Sequence, residues 1–264
     1  MTFDVEAVRR RFPALDRRDG GRRRYYFDNP AGTQVPQSVV DAMSRCLLDA
    51  NANLGGSFET SRRADAVVAD AHAAMADLLN AASADEIVFG QNMTTLTFQF
   101  SRSIGQQLSP GDEIVLSVME HHSNIIPWHF LRERYGAVLR WVGLTEDGAL
   151  DMSELAEAIG SKTKFVAMTH MSNVLGTVTD MAEIVRLAHD AGAQVLADGS
   201  QAAVHVPVDV QALGVDWYVM TGHKLYGPTG IGVLYGTAEA LDRARPYQGG
   251  GEMIEIVTRD DPRS

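Results

Sequence analysis

Seven short apolar runs, separated by stretches whose apolar residues recur every three or four positions, constrain this chain more than any other feature. The runs cover residues 87–90, 113–118, 137–142, 165–169, 194–197, 217–220 and 231–235. Most are continuously apolar rather than alternating, which fits strands buried on both faces. Between them, Val39, Ala42, Met43, Cys46, Leu47 and Ala50 form one helical stripe. Ala64, Val67, Val68, Ala71, Ala74, Met75, Leu78 and Leu79 form a second, and Ile184, Val185, Leu187, Ala188 and Ala191 a third. Strand–helix alternation of this kind implies βαβ units: an α/β fold with a mostly parallel sheet and helices on both faces. Ligands in such folds bind beyond the carboxyl ends of the strands. The chemistry is therefore expected in the loops at those ends.

Charge and composition narrow the class. The 264 residues carry a formal net charge of −11, but residues 1–24 hold eight Arg against Asp4, Glu6, Asp16 and Asp19, leaving the rest at −15. An acidic body argues against nucleic-acid binding. Transit peptides are poor in acids, so residues 1–24 read as a structured arm of a soluble, cytoplasmic protein. No apolar run is long enough to span a membrane. Cys46 is the single cysteine, which excludes an intrachain disulfide and a cysteine-based zinc site. It falls on the first helical stripe and is expected to be a core thiol of raised pKa, inert as a nucleophile. Lysine is scarce: only Lys162, Lys164 and Lys224 stand against 20 Arg. Lys162 and Lys164 flank Thr163 at a strand start and read as solvated.

Five loops hold candidate chemistry. Lys224 follows the 217–220 run in Gly222-His-Lys-Leu-Tyr-Gly-Pro-Thr-Gly-Ile-Gly. An amine there can condense with an aldehyde, which Arg cannot do; the alternative is a tight turn with a solvated lysine. The segment fits neither a Walker loop nor a Rossmann fingerprint, because its glycines lead into a strand. Asp198 ends the 194–197 run, where a carboxylate needs a partner; a protonated heterocyclic nitrogen would serve, and a helix cap is the plain alternative. His121 and His122 are poorly spaced to share a metal, and His129 is a loose third candidate, so no metal is assigned; a ring lying on a flat cofactor suits one of them better. Gln91-Asn-Met93-Thr94-Thr opens a helix whose amides suit a phosphate, with N-capping by Asn92 or Thr94 as the alternative. Asn173, in His170-Met-Ser-Asn-Val-Leu-Gly, offers a neutral amide in the same crevice or a simple turn.

An amine, a carboxylate, an imidazole, an amide and a helix start add up to a pyridoxal phosphate (PLP) site. Taken in order, Tyr26-Phe-Asp-Asn-Pro-Ala-Gly-Thr-Gln-Val-Pro, Glu120-His-His-Ser-Asn-Ile-Ile-Pro-Trp, His170-Met-Ser-Asn-Val-Leu-Gly, Asp198-Gly-Ser-Gln, the lysine loop and Gly249-Gly-Gly-Glu-Met-Ile resemble the class V aminotransferase-like PLP enzymes of fold type I. The similarity is to the group of cysteine desulfurases and selenocysteine lyases. It implies that Lys224 forms the Schiff base, Asp198 faces the pyridine nitrogen and His121 stacks on the ring. It puts Asn173 and Gln201 near the ring hydroxyl, and Thr94, Thr221 and His223 on the phosphate. In the family's Gly-Thr-Thr segment this chain reads Asn92-Met93-Thr94, so Met93 stands at a cofactor-binding position.

The resemblance further implies an amino-acid substrate and a homodimer, with the 249–251 glycines approaching the partner's site. It divides the chain into the arm (1–24), a large PLP-binding domain (25–245) and the start of a glycine-rich segment (246–264) leading to a C-terminal domain that is missing here. With that domain go the sulfur-accepting cysteine and the arginine that holds the substrate carboxylate. Another PLP lyase, epimerase or transaminase, or a truncated inactive PLP-binding chain, remains open. The Asn-Pro-Ala-Gly-Thr form of the first motif departs from the commoner Asp-Asn/Ser-Ala-Ala and suggests a divergent branch.

Overall fold

The computed structural model describes residues 3–248 and the backbone of 256–257 and 262–263. The 249–251 glycines lie outside the described residues. The arm folds into α1 (Val5–Arg9), whose first turn is capped by the Asp4 carboxylate, and a small hairpin of β1 (Arg18–Asp19) and β2 (Arg22–Arg23). Exposed ion pairs, Arg23 with Glu6 and Arg24 with Asp19, account for part of its arginine content. Each is worth little in stability because water screens it.

Two helices follow, α2 (Gln37–Asp49) and α3 (Glu59–Leu79). Then come β3 (Ile87–Gly90), α4 (Met93–Gly105), β4 (Glu113–Ser117), α5 (Ile126–Tyr135), β5 (Val138–Val142), α6 (Met152–Ala158) and β6 (Thr163–Thr169). The chain continues through α7 (Met181–Asp190), β7 (Gln194–Asp198), α8 (Ala202–His205), α9 (Val210–Leu213), β8 (Trp217–Thr221), β9 (Gly232–Gly236) and α10 (Ala238–Arg243). The described backbone near the end adds β10 (Ile256–Val257) against β11 (Pro262–Arg263).

β3 to β9 form one seven-stranded sheet in the order β3-β9-β8-β7-β6-β4-β5. β5, β4, β6, β7 and β8 run parallel, and only β9 is reversed, pairing antiparallel with both β8 and β3. Six carboxyl ends therefore share one edge with the start of β9. β4 and β6 to β9 are buried almost throughout, as the uninterrupted apolar runs require. Apolar side chains pack on both faces. Val166, Val195, Met220 and Ile184 belong to one core, and Leu116, Trp128, Leu196 and Trp217 to the other. β5 differs: as an edge strand it exposes Val138, Arg140 and Trp141 and buries only Val142.

Close packing at the sheet edge explains one glycine. A Cβ on Gly199 would fall 2.0 Å from the Tyr218 ring, so any side chain there would displace the tyrosine beneath Asp198. No described helix is long and apolar enough to cross a membrane.

The expectation for Cys46 is corrected. Its stripe does not face a core: α2 has no buried residue, Met43 and Leu47 are 46% and 67% exposed, and Cys46 itself is half-buried. The periodicity marks an amphipathic helix, but α2 lies on the surface with little packed over that side. Cys46→Ala in the 264-residue chain should therefore change unfolding free energy by no more than about 0.5 kcal/mol, as partly exposed positions do. A thiol reagent should also label Cys46 without denaturant. A loss of several kcal/mol, or labelling only on unfolding, would restore the core assignment.

Candidate active site

The carboxyl edge of the sheet opens into a cavity of about 430 Å³. All nine residues singled out from the sequence line it: Met93, Thr94, His121, Asn173, Asp198, Gln201, Thr221, His223 and Lys224. They come from five places, the ends of β3, β4, β6, β7 and β8 or the turn or helix that follows each. Sequence reasoning about the loops missed Ser200, Ser123, Thr169 and Met171, which share the wall. Asp28, Pro30 and Ala31 also line it; only the first motif pointed to this segment, with no role for its side chains.

Asp198 closes central strand β7 and is 5% exposed. Its Oδ1 accepts the Ser200 N–H at 2.9 Å. Among the described residues, the buried Ser200 hydroxyl, close to the carboxylate, has no hydrogen-bond partner of good geometry. Burial pushes the Asp198 pKa up, opposed by Ser200 and by the Lys224 charge. A cation from a ligand would reverse that penalty. Beneath it, Tyr218 Oη and His170 Nδ1 lie 3.0 Å apart in a buried pair.

Lys224 sits in a single helical turn, Gly222–Lys224, directly after β8. Partial burial lowers its pKa and Asp198 raises it, burial being the larger effect. The amine is thus biased towards its neutral, nucleophilic form. His121 begins the turn after β4. Its Nδ1 lies 2.6 Å from Ser123 Oγ and 3.2 Å from the Ser123 amide nitrogen, which fixes the ring's orientation. The residue as a whole is exposed at the cavity mouth, yet its ring is shielded enough for burial, then Lys224, to push its pKa down.

At the other end of the cavity, Asn92 Oδ1 accepts from Thr95 N–H, so Asn92 does cap α4. The Met93 and Thr94 amides, in the first turn, have no acceptor within the helix. Thr221 Oγ1 and His223 Nδ1 are 2.9 Å apart beside them on the cavity wall. Hydroxyls and a helix start of this kind could hold a dianion. Gln201 donates its Nε2–H to the Pro30 carbonyl at 2.8 Å, so its amide nitrogen ties down the 28–31 segment and its side-chain oxygen remains an acceptor. Among the described residues no cluster of three His, Cys, Asp or Glu could hold a metal ion. The donor set fits PLP: a carboxylate for a cationic ring nitrogen, an amine for an aldehyde and a cradle for a phosphate.

Glu120, absent from the sequence-based assignments, is buried beside this site. Its Oε1 accepts from Ser117 Oγ at 2.6 Å and Thr169 N–H at 2.9 Å, and its Oε2 from Asn124 Nδ2 at 2.7 Å. It thereby ties the His121 loop to β6. Burial raises its pKa from 4.5 to about 7 against those donors. The unfolded carboxyl ionises first as pH rises, so the stability this group contributes in acid is lost between about 4.5 and 7. Carboxyl ¹³C NMR should show one resonance, absent in Glu120→Gln, titrating near 7; titration in the ordinary carboxylate range would contradict this.

The aminotransferase class-V family model matches residues 25–263. A probable cysteine desulfurase of Streptomyces coelicolor is 45% identical over 263 residues, covering 97% of this chain and 63% of that protein. The cysteine desulfurase CsdA of Escherichia coli superposes with a TM-score of 0.88 at 37% identity, covering all of this chain and 65% of that one. A C-DES variant with glycine covalently linked to its PLP cofactor gives a TM-score of 0.80 at 25% identity, covering 96% and 66%. The chain thus spans less than two thirds of the Streptomyces and E. coli proteins' length. From the breadth of the family match, the identity to its relatives and the fold, this chain belongs to the class-V aminotransferase family.

Proposed function

We propose that this chain is the PLP-binding part of a cysteine desulfurase-like enzyme that acts on an amino acid through Lys224, and that it works as a homodimer. The observation that carries the reading is the pairing, in one cavity, of a buried carboxylate whose pKa burial raises and a half-buried lysine whose pKa burial lowers. Exposed Val118, Ile126, Val174 and Leu175 neighbour lining residues and would suit cover by a second copy.

PLP would supply an aldehyde carbon for amines and a ring that draws electron density from the substrate. The residues' parts follow from their chemistry. Asp198 would hold a proton at the ring nitrogen. The Met93 and Thr94 amides, Thr94 and Thr221 hydroxyls and His223 would hold the phosphate. His121 would offer a ring face, and Asn173 and the Gln201 side-chain oxygen would meet the ring hydroxyl. Lys224 Nζ would tether the cofactor, then give and take protons at the substrate once a substrate amine had displaced it.

Cys46 lies on α2 and is not among the residues that line the cavity, so any sulfide released from cysteine by the 264-residue chain should be unchanged in Cys46→Ala.

Adding PLP to the 264-residue chain, reducing with borohydride and digesting should place the pyridoxyl group on the peptide containing Lys224. Labelling of the exposed Lys162 or Lys164 instead would sink the assignment. Asp198→Ala should weaken PLP binding by about ten- to a hundredfold, the worth of a charge-assisted hydrogen bond. Unchanged affinity and turnover would refute the role given to Asp198.

A further inference from the structure

The lysine turn is held from the far end of the chain. Thr33, 190 residues before His223, meets the main chain on both sides of Lys224. Its N–H donates to the His223 carbonyl at 2.8 Å, and its Oγ1–H donates to the same oxygen at 3.1 Å. That Oγ1 also accepts the Tyr226 N–H at 2.8 Å. One hydroxyl thus bonds the residue before Lys224 and the second residue after it.

Tyr226 makes this contact consequential. Its φ of 59° is left-handed, a conformation that costs a non-glycine residue of order 1 kcal/mol. The residue is 43% exposed, with its ring 5.8 Å from that of Phe12, so a deep core does not hold it there. The turn also closes on itself, since Leu225 N–H and Gly227 N–H both donate to the Gly222 carbonyl at 2.9 Å. The Thr33 hydroxyl is the side-chain hydrogen bond that ties this strained turn to the segment whose Asp28, Pro30 and Ala31 line the cavity. Its own segment is anchored in turn: Tyr26 Oη donates to Gly32 O at 2.8 Å, and Gln201 holds Pro30.

We propose that Thr33 is a positioning residue: its hydroxyl clamps the main chain around Lys224 and so fixes where the amine stands in the cavity. The clamp links the Asp28–Thr33 segment, the Lys224 turn and, through Gln201, the Asp198 loop into one frame. Without the hydroxyl, the Tyr226 N–H loses its acceptor, and only the Thr33 N–H bond to the His223 carbonyl and the Phe12 ring still brace the turn from outside. The turn should then loosen and admit water around the amine. The ionisable groups around Lys224 are Asp198, His121, His223 and Asp28, and substitution at Thr33 leaves all four in place. The inference deepens the PLP reading but does not depend on PLP being bound.

The test uses the full chain and its three lysines. Competitive labelling with a trace of acylating reagent across a pH series, read by mass spectrometry, gives the midpoint for each amine. Exposed Lys162 and Lys164 serve as internal standards. In the wild type the Lys224 midpoint should lie below theirs. Thr33→Val should move it towards theirs by about one pH unit, a tenfold fall in neutral amine at fixed pH. Thr33→Ser, which keeps the hydroxyl, should stay at the wild-type midpoint. A merely structural role would lower thermal stability without moving the midpoint.

An unchanged midpoint in Thr33→Val, or an equal shift in Thr33→Ser, would overturn the proposal. Should Thr33→Val fail to fold, hydrogen exchange in the wild type decides. The Tyr226 amide should exchange slowly for an exposed residue, and exchange at the rate of an open loop would overturn the clamp. Absence of a pyridoxyl label in the wild type would refute the PLP reading alone, because the lysine midpoints are measured without PLP.

Discussion

A carboxylate buried at the end of the central strand is the constraint around which this structure is arranged. Asp198 cannot stay charged in a dry interior without support. The fold supplies part of it from the backbone, through the Ser200 N–H, and part from the charge of Lys224 at the end of the next strand. Holding those groups together requires neighbouring strands in parallel register. Asp198 pairs with Val219 on one side and Thr169 on the other, and Lys224 follows three residues after the end of β8. It also requires Gly199, because no side chain fits between that turn and Tyr218. The deep burial of β6, β7 and β8 makes the edge rigid enough to keep this geometry.

The same dry edge shifts five of the ionisable groups around it. Burial moves Asp198 and Glu120 up, and Lys224, His121 and His223 down. Acids and bases are both pushed towards neutrality. A ligand bringing a cation to Asp198 and a dianion to the α4 cradle would restore what burial disfavours. That complementarity, rather than any single residue, favours PLP over a metal or a nucleic acid as the occupant.

Much of this was legible in the sequence, and the limits have physical causes. The central strands could be read because burial on both faces demands uninterrupted apolar residues. β5 was less legible, since its position as an edge strand exposes Arg140 and Trp141 despite an apolar run. The stripe on α2 showed amphipathicity but not what would cover it, and Cys46 was misjudged as a result. Polar residues at strand ends could be picked out because a parallel sheet brings those ends together. Glu120 was passed over because a glutamate in a loop reads as solvated until Ser117, Asn124 and Thr169 are seen around it. The contact of Thr33 with the lysine turn spans 190 residues and leaves no periodic trace.

The role proposed for Asp198 is to keep a ring nitrogen protonated. The direct measurement is ¹⁵N NMR of the chain loaded with PLP labelled at its pyridine nitrogen, for wild type and Asp198→Ala. The predicted result is a protonated nitrogen in the wild type from mildly acidic to mildly alkaline pH, and its loss in the variant. A nitrogen that is unprotonated at neutral pH in the wild type, or unaffected by removal of the carboxylate, would contradict it.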